Sequence, residues 1–538
     1  MTPIIKYLLR KRSKLIKRNR REAADALSAR INGLITRRNL ATFERTKRGS
    51  RELWAEENRL RGDGRRGIQS PTGDVTASNL NQYFGGISKD EDYDPPLAKE
   101  TVVDSTKLVM DEFTTYRLLA KLGRTAAGPD GLPSWFLGHA APMIAEPVTH
   151  LYNISILFSY VPPQWKTSII TPVPKVKHPT EAADFRPISV TPILCRILEK
   201  FIVHRFFHHI LLEPKLNQDF IDQFAFRPTG STTAALTALT TTLLELLEAN
   251  QYVHLIALDF SKAFDTVRHS YLAEQLASMQ IPDCIYNWIV AFLEDRGHGT
   301  KFNGVTSPLI KINSSFVQGS GSGPNNFIIT ISKLKTIHIG NMILKYADDS
   351  YLLIPSSNSA TVSAEIEHVT NWAKTCNLKL NHKKTQEMIV RGIGRRGGFS
   401  PAVTPGVTRV HSMKVLGVML SETLSFEMHI AQLCCRARQS MYALRILTAH
   451  GLSGPRLYDV VRATTVARLL YAAPAWWGFT SQREKGMLQS VMNRLIRQRY
   501  LPSDSPTFEQ LCLKTDTFLF SAVLGNPGHV LHIGFFLQ

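Results

Sequence analysis

An eight-residue run, Val253 to Phe260 (VHLIALDF), narrows the folds open to this chain more than any other feature. It is apolar except at His254 and Asp259, the pattern of a strand buried on both faces at the centre of a sheet. A helix is expected on either side. Upstream, Thr232 to Ala249 carries Leu at helical spacing until Asn250 ends the run. Downstream, Phe264, Val267, Tyr271, Leu272 and Leu276 form one apolar stripe that packs back on the sheet. Asp259 is the anomaly, because a buried carboxylate without a partner takes a proton rather than keep its charge. For this residue alone, capping the helix that starts near Ser261 is the simpler explanation.

A second segment changes that balance. MILKYADDSYLLI (342–354) is two apolar β-prone runs joined at Asp348-Asp349, and it reads as a hairpin with the acidic pair at its tip. By itself the pair could be an ordinary polar turn. If the hairpin shares a sheet with residues 253–260, however, Asp259, Asp348 and Asp349 converge, and their mutual repulsion calls for cations. Aspartate oxygens are hard ligands suited to Mg²⁺, which keeps waters and substrate phosphates as its other ligands. Two such ions about 4 Å apart activate a 3′-hydroxyl and stabilise the leaving pyrophosphate of an in-line phosphoryl transfer.

Composition sets the class of partner. The 538 residues carry 64 Lys+Arg against 44 Asp+Glu, a net +20 that favours nucleic acid or an anionic membrane surface as partner. A surplus of 13 falls within residues 1–70, which leaves +7 for the other 468. In this basic arm Leu8, Leu9, Leu15, Ile16, Leu27, Ile31, Leu34 and Ile35 alternate with the cations, so helices are expected. A solvated helix face and a surface for phosphates are both compatible with that pattern. The six cysteines show no CxxC pair and no Cys/His finger spacing, so neither a zinc module nor a disulfide framework is indicated. No apolar run reaches about 18 residues, and the N-terminus lacks a signal-peptide core, so no membrane association is expected.

LDFSKAFDTV, FVQGSGSGP, KYADD, LKLNHKKT and MKVLGVML occur in the order, and at about the spacing, of successive motifs in one enzyme family. On these motifs the chain resembles the reverse transcriptases of non-LTR (LINE-type) retrotransposons. AAGPDGLPSWFL, PPQWKTSIITPVPKVKHP, DFRPISVTPILCRILEKFI and DQFAFRPTGSTTAAL look like its fingers and pre-palm segments. YALRILTAHG, LLYAAPAWWGFT and PTFEQLC look like its post-polymerase region, so the likeness covers roughly residues 50–530.

The resemblance implies an α+β right-hand polymerase, with fingers, a palm carrying an antiparallel sheet, and a helical thumb. Expected boundaries are a basic helical arm over 1–60, a linker over 61–100, a fingers extension over 101–165, the fingers and palm over 166–395, and thumb plus helical post-polymerase region over 396–538. It implies an RNA-directed DNA polymerase that takes an RNA template, a DNA primer and dNTPs, uses two Mg²⁺ ions or Mn²⁺ in their place, and acts in the nucleus. Asp259 and Asp348 correspond to its metal ligands, Asp349 supports the same site, and Phe260 offers a backbone carbonyl. Phe264 corresponds to the aromatic that excludes a 2′-hydroxyl, Lys175 and Arg186 to cations on the triphosphate, and Gln318-Gly319 to a loop beside nucleotide and template. Lys384, with Lys383 adjacent, corresponds to the general acid for pyrophosphate. Val317 and Asn325-Asn326 depart from the usual pattern. No segment before residue 60 is long enough for the family's endonuclease, so a fragment of a longer polyprotein is expected. Two rival readings remain. One is a catalytically idle, retroelement-derived nucleic-acid-binding protein; the other is an RNA-dependent RNA polymerase, against which Phe264 and Ala347 speak by resemblance. Trp476 and Trp477 read as helical core or as a platform for unpaired bases.

Overall fold

The computed structural model describes residues 3–17, 20–45, 75–101, 109–213, 218–392 and 401–532. Contacts divide the chain into two compact units, one of Met1–Ser70, Val418–Leu420 and Ser425–Phe520, the other of Pro71–Gly417, Ser421–Leu424 and Ser521–Gln538.

Among the described residues, ten strands build the five-stranded sheets of the larger unit, in chain order β1 (Thr167–Pro174), β2 (Phe185–Val190), β3 (Tyr252–Leu258), β4 (Arg296–Phe302), β5 (Val305–Thr306), β6 (Ile310–Ile312), β7 (Met342–Tyr346), β8 (Asp349–Pro355), β9 (Gln386–Arg391) and β10 (Thr408–Arg409). They form two sheets, ordered β2-β1-β4-β5 with β6 also on β4, and β10-β9-β3-β8-β7. In the second sheet β3, the octet's strand, is central and antiparallel to both neighbours, β8 and β9. Only the outer pair β10 and β9 runs parallel. The polar exception in β3 is accounted for: His254 is buried and bonds Glu387 at 2.7 Å and Ser359 at 2.8 Å through its two ring nitrogens.

The flanking helices follow the apolar periodicity, with one break. Thr232–Ala249 is helical as expected, and Ser231 caps it by accepting from the Ala234 amide. The stripe after Asp259 is instead split into Ala263–Thr266 and His269–Ala277, because Val267 turns extended (ψ 132°). The break lets Val267 O accept from Ser315 and Phe264 O from Phe316, while the Arg268 amide donates to Cys376. Val267, Leu272 and Leu276 still bury in one core with Ile256, Leu258 and Leu352 of the sheet.

The expected linker over 61–100 is corrected in its described part. Ala77–Ile87 is a helix capped by Thr76, and its Leu80 and Phe84 bury against Ile170 of β1 and Phe185 of β2. Glycine and proline around it masked a two-residue apolar face. Residues 61–74 lie outside the described residues, as do residues 393–398 of the glycine-basic loop. The expected boundary at 395 also differs from the sheet, which extends to β10.

The smaller unit is helical. Pro3–Lys17 and Arg21–Arg45 pair through Ile5, Leu8 and Ile31, so the basic arm turns its apolar stripe inward on itself. Thr36 and Asn39 of the second helix reach Ala449 and His450, at the end of Glu427–Ala449. Trp476 and Trp477 are buried, the latter edge-on to Phe508 with centroids 5.5 Å apart, so they are core and do not face bases. Among the described residues no helix is long and apolar enough to cross a membrane.

Candidate active site

Sheet register brings the acidic segments together. Leu258 of β3 pairs with Ser350 of β8, and one further step of the same register sets Asp259 against Asp349. Residues 259–261 are held on their other side, where the Asp259 carbonyl accepts from Asn381 at 2.7 Å, Phe260 bridges Leu380, and the Ser261 amide donates to Lys379 at 2.9 Å. Asp348 lies in the two-residue turn between β7 and β8, after Ala347, which adopts φ 56°. That is the hairpin-turn geometry usually given to Gly, Asn or Asp, here occupied by alanine.

Above the turn lies an open cleft of about 610 Å³. Asp259, Asp348, Phe260, Phe264, Lys175, Arg186, Gln318, Gly319 and Lys384 all line it. Asp349 does not, since it opens β8 rather than the turn. Of the two adjacent lysines, Lys384 lines the cleft and Lys383 does not.

The electrostatics match this crowding. Asp348 and Asp349 both reach solvent, yet the protein around them makes ionisation costly. Asp348 is raised first by that desolvation and then by the charge of Asp259, with Arg186 opposing. Asp349 is pushed up to about 6 by desolvation, then by Asp348 and Asp259. Burial lowers Lys175, against the pull of Asp265.

Among the described residues no three His, Cys, Asp or Glu side chains group as metal ligands. Within the cleft lie Asp259 and Asp348 with the Phe260 backbone beside them, and Asp349, at the start of β8, adds its charge to both. This all-oxygen, mutually repelling donor set fits a hard divalent cation.

Two expected roles acquire different neighbours. Gly319 has φ 116°, and a Cβ there would lie 2.5 Å from the Ser189 carbonyl. The close approach that demands glycine is thus to β2, where the Ser189 amide also donates to Gln318 O at 2.7 Å. Phe264 stacks on Phe327 with centroids 4.3 Å apart, so the ring that lines the cleft is fixed from behind by core.

Asp265 and Lys262 line the cleft without having been singled out in the sequence. Gln318 Nε2 donates to Asp265 Oδ1 at 2.7 Å, and Lys262 Nζ sits 4.5 Å over the Tyr83 ring. No local signal separates Asp265 from an ordinary acidic helix residue, because its partner lies 53 positions away.

Residues 173–420 match the family described as reverse transcriptase (RNA-dependent DNA polymerase). Curated relatives agree with the resemblance drawn from the motifs. The probable RNA-directed DNA polymerase from transposon BS of Drosophila melanogaster is 27% identical, over 64% of this chain and 40% of that protein. The RNA-directed DNA polymerase from mobile element jockey of the same species is 27% identical, over 63% and 37%. A putative 115 kDa protein in type-1 retrotransposable element R1DM is 25% identical, over 74% and 39%. The chain thus spans about two fifths of the length of the relatives it matches. Among solved structures, telomerase from Candida tropicalis with a fragment of telomeric RNA aligns at 14% identity and TM-score 0.38, over 70% of this chain and 65% of that one.

Proposed function

From the match of residues 173–420 to the reverse transcriptase family, we propose that the chain is an RNA-directed DNA polymerase of a non-LTR retrotransposon, extending a DNA primer on an RNA template. The observation that carries the reading is the shared cleft: Asp259 just past β3 and Asp348 in the β7–β8 turn, with four cations lining the same 610 Å³.

Asp259, Asp348 and the Phe260 carbonyl would hold a pair of Mg²⁺ ions, with Asp349 adding negative potential from the adjacent strand position. The ions supply charge neutralisation at the attacking and leaving oxygens. In the reaction the primer 3′-oxygen loses its proton and bonds to the α-phosphorus of a dNTP, while the bond to the bridging oxygen breaks and pyrophosphate departs. Lys175 and Arg186 are suited to the phosphate oxygens, Arg186 by its planar fork of donors. Lys384 is the candidate to protonate the departing pyrophosphate. Phe264, wedged on Phe327, cannot withdraw from the sugar position, which supports a role in excluding a 2′-hydroxyl. Lys262 and Asp265 complete the wall around the nucleotide. In domain terms, β1 and β2 belong to the fingers, the sheet around β3 is the palm, and the helices after Glu427 are the thumb and post-polymerase region.

The test is primer extension with purified chain, an RNA template, Mg²⁺ and labelled dNTPs. Asp259→Asn and Asp348→Asn are each expected to lower incorporation by at least about a thousandfold, since each removes a charge on which metal binding depends. Full activity in either variant overturns the assignment. A wild-type chain that binds RNA in a salt-sensitive manner but incorporates nothing overturns the polymerase reading.

A further inference from the structure

The turn that carries Asp348 has two residues and no glycine, and Ala347 stands in left-handed backbone at φ 56°. Such a conformation persists in a non-glycine residue only where the surroundings over-determine it. The support comes from outside the hairpin. Gln223 is fully buried, and its Oε1 accepts from the Ala347 amide at 3.2 Å and from the Ala225 amide at 2.9 Å. Its Nε2 has no hydrogen-bond partner, so the oxygen is the half of the amide that is used.

The backbone around Gln223 is anchored to the same hairpin. The Lys345 amide donates to Asp222 O at 2.7 Å and the Phe224 amide to Lys345 O at 2.9 Å, so residues 222–224 bridge the outer edge of β7. Lys345 is itself fully buried: its Nζ donates to the Ile331 and Leu334 carbonyls at 2.9 and 3.0 Å and pairs with Asp222 at 3.0 Å. Arg227 closes the segment from behind, donating to the Phe220 and Leu211 carbonyls at 2.7 and 2.9 Å.

We infer that Gln223 is a positioning residue of the active site, whose side-chain oxygen grips the Ala347 amide and so fixes where Asp348 presents its carboxylate. The kinetic part of this inference rests on the polymerase reading; the grip itself does not. A buried segment packed only for stability would use its side chains against apolar neighbours. Here one acceptor reaches the left-handed peptide that directly precedes a cleft carboxylate.

Two measurements on full-length chain separate the alternatives. Amide hydrogen exchange reads the grip without any need for catalysis. In Gln223→Met, which keeps length but removes the acceptor, Ala347 exchange is expected to quicken by at least about tenfold, while exchange in β3 is unchanged. In Gln223→Glu, which restores an oxygen, Ala347 protection returns. Steady-state primer extension reads the consequence: Gln223→Met is expected to lose about tenfold or more in kcat, with the dNTP KM within about twofold and a thermal midpoint close to wild type. Unaltered Ala347 exchange in Gln223→Met overturns the inference, as does unaltered kcat. A parallel fall of midpoint, kcat and exchange protection throughout the sheet overturns it too, since that is the mark of a merely structural residue. Should the wild-type chain incorporate nothing, the functional reading fails, and the exchange of Ala347 still decides whether Gln223 holds the turn.

Discussion

Asp265 is almost inaccessible, yet it accepts from Gln318 and faces Lys175 and Lys262. Burial outweighs these partners and pushes its carboxyl up to about 6. Because this folded value lies above the ordinary 3.8, the neutral form is the one the fold prefers. The associated stability is fully present below about pH 4 and is lost as pH rises through about 6. Asp265→Asn keeps an oxygen for Gln318 and cannot ionise. It is therefore expected to match wild type near pH 4 and to exceed it near pH 7, by about 3 kcal/mol. Denaturant titrations at the two pH values check this, and a gap that does not widen with pH contradicts it. The residue also marks a limit of sequence reading. Asp259, Asp348 and the cleft cations Lys175, Arg186 and Lys384 stand out by strand context and by motif. Asp265 and Gln223 act through partners 53 and 124 positions away, which no local pattern encodes.

At the scale of elements, the apolar octet and the paired β-runs were legible because a strand buried on both faces leaves a continuous apolar signature. The helix Ala77–Ile87 was not, because its buried face rests on Leu80 and Phe84 while Gly85 and Gly86 follow at once. Nor was the break at Val267, which exists to satisfy backbone groups of residues 315–316 far along the chain. The helix Gly323–Thr330 shows the opposite tension, since its local sequence conflicts with its burial. Asn325 is 3% exposed, and neither its Oδ1 nor its Nδ2 has a partner. An unpaired buried amide costs about 1–3 kcal/mol, and leucine is also the better helix former. Asn325→Leu is accordingly expected to raise the thermal midpoint by a few degrees, read by calorimetry. A lowered midpoint would mean that those polar atoms have a use in the helix's own packing that outweighs their desolvation.

Over the whole molecule, charge is distributed as unevenly as the chemistry. The larger unit lines one cleft with three acids and four cations, whereas 13 of the +20 lies in residues 1–70. In the helix Pro3–Lys17, Ile5 and Leu8 are buried against the second helix, and Lys6, Arg10 and Lys14 are exposed at four-residue intervals. Like charges so spaced repel along one face, and a polyanion relieves that repulsion. If this face contributes to holding single-stranded RNA, each lost phosphate contact should reduce the slope of log K against log salt by about 0.7. The triple variant Lys6→Gln, Arg10→Gln, Lys14→Gln is then expected to bind RNA less tightly, with a slope shallower by about 2, while incorporation at saturating template stays at the wild-type rate. Fluorescence anisotropy across a salt series measures both quantities. A slope identical to wild type would leave these cations as a solvated helix face, and would assign the whole salt dependence of RNA binding to cations elsewhere in the chain, those of the cleft among them.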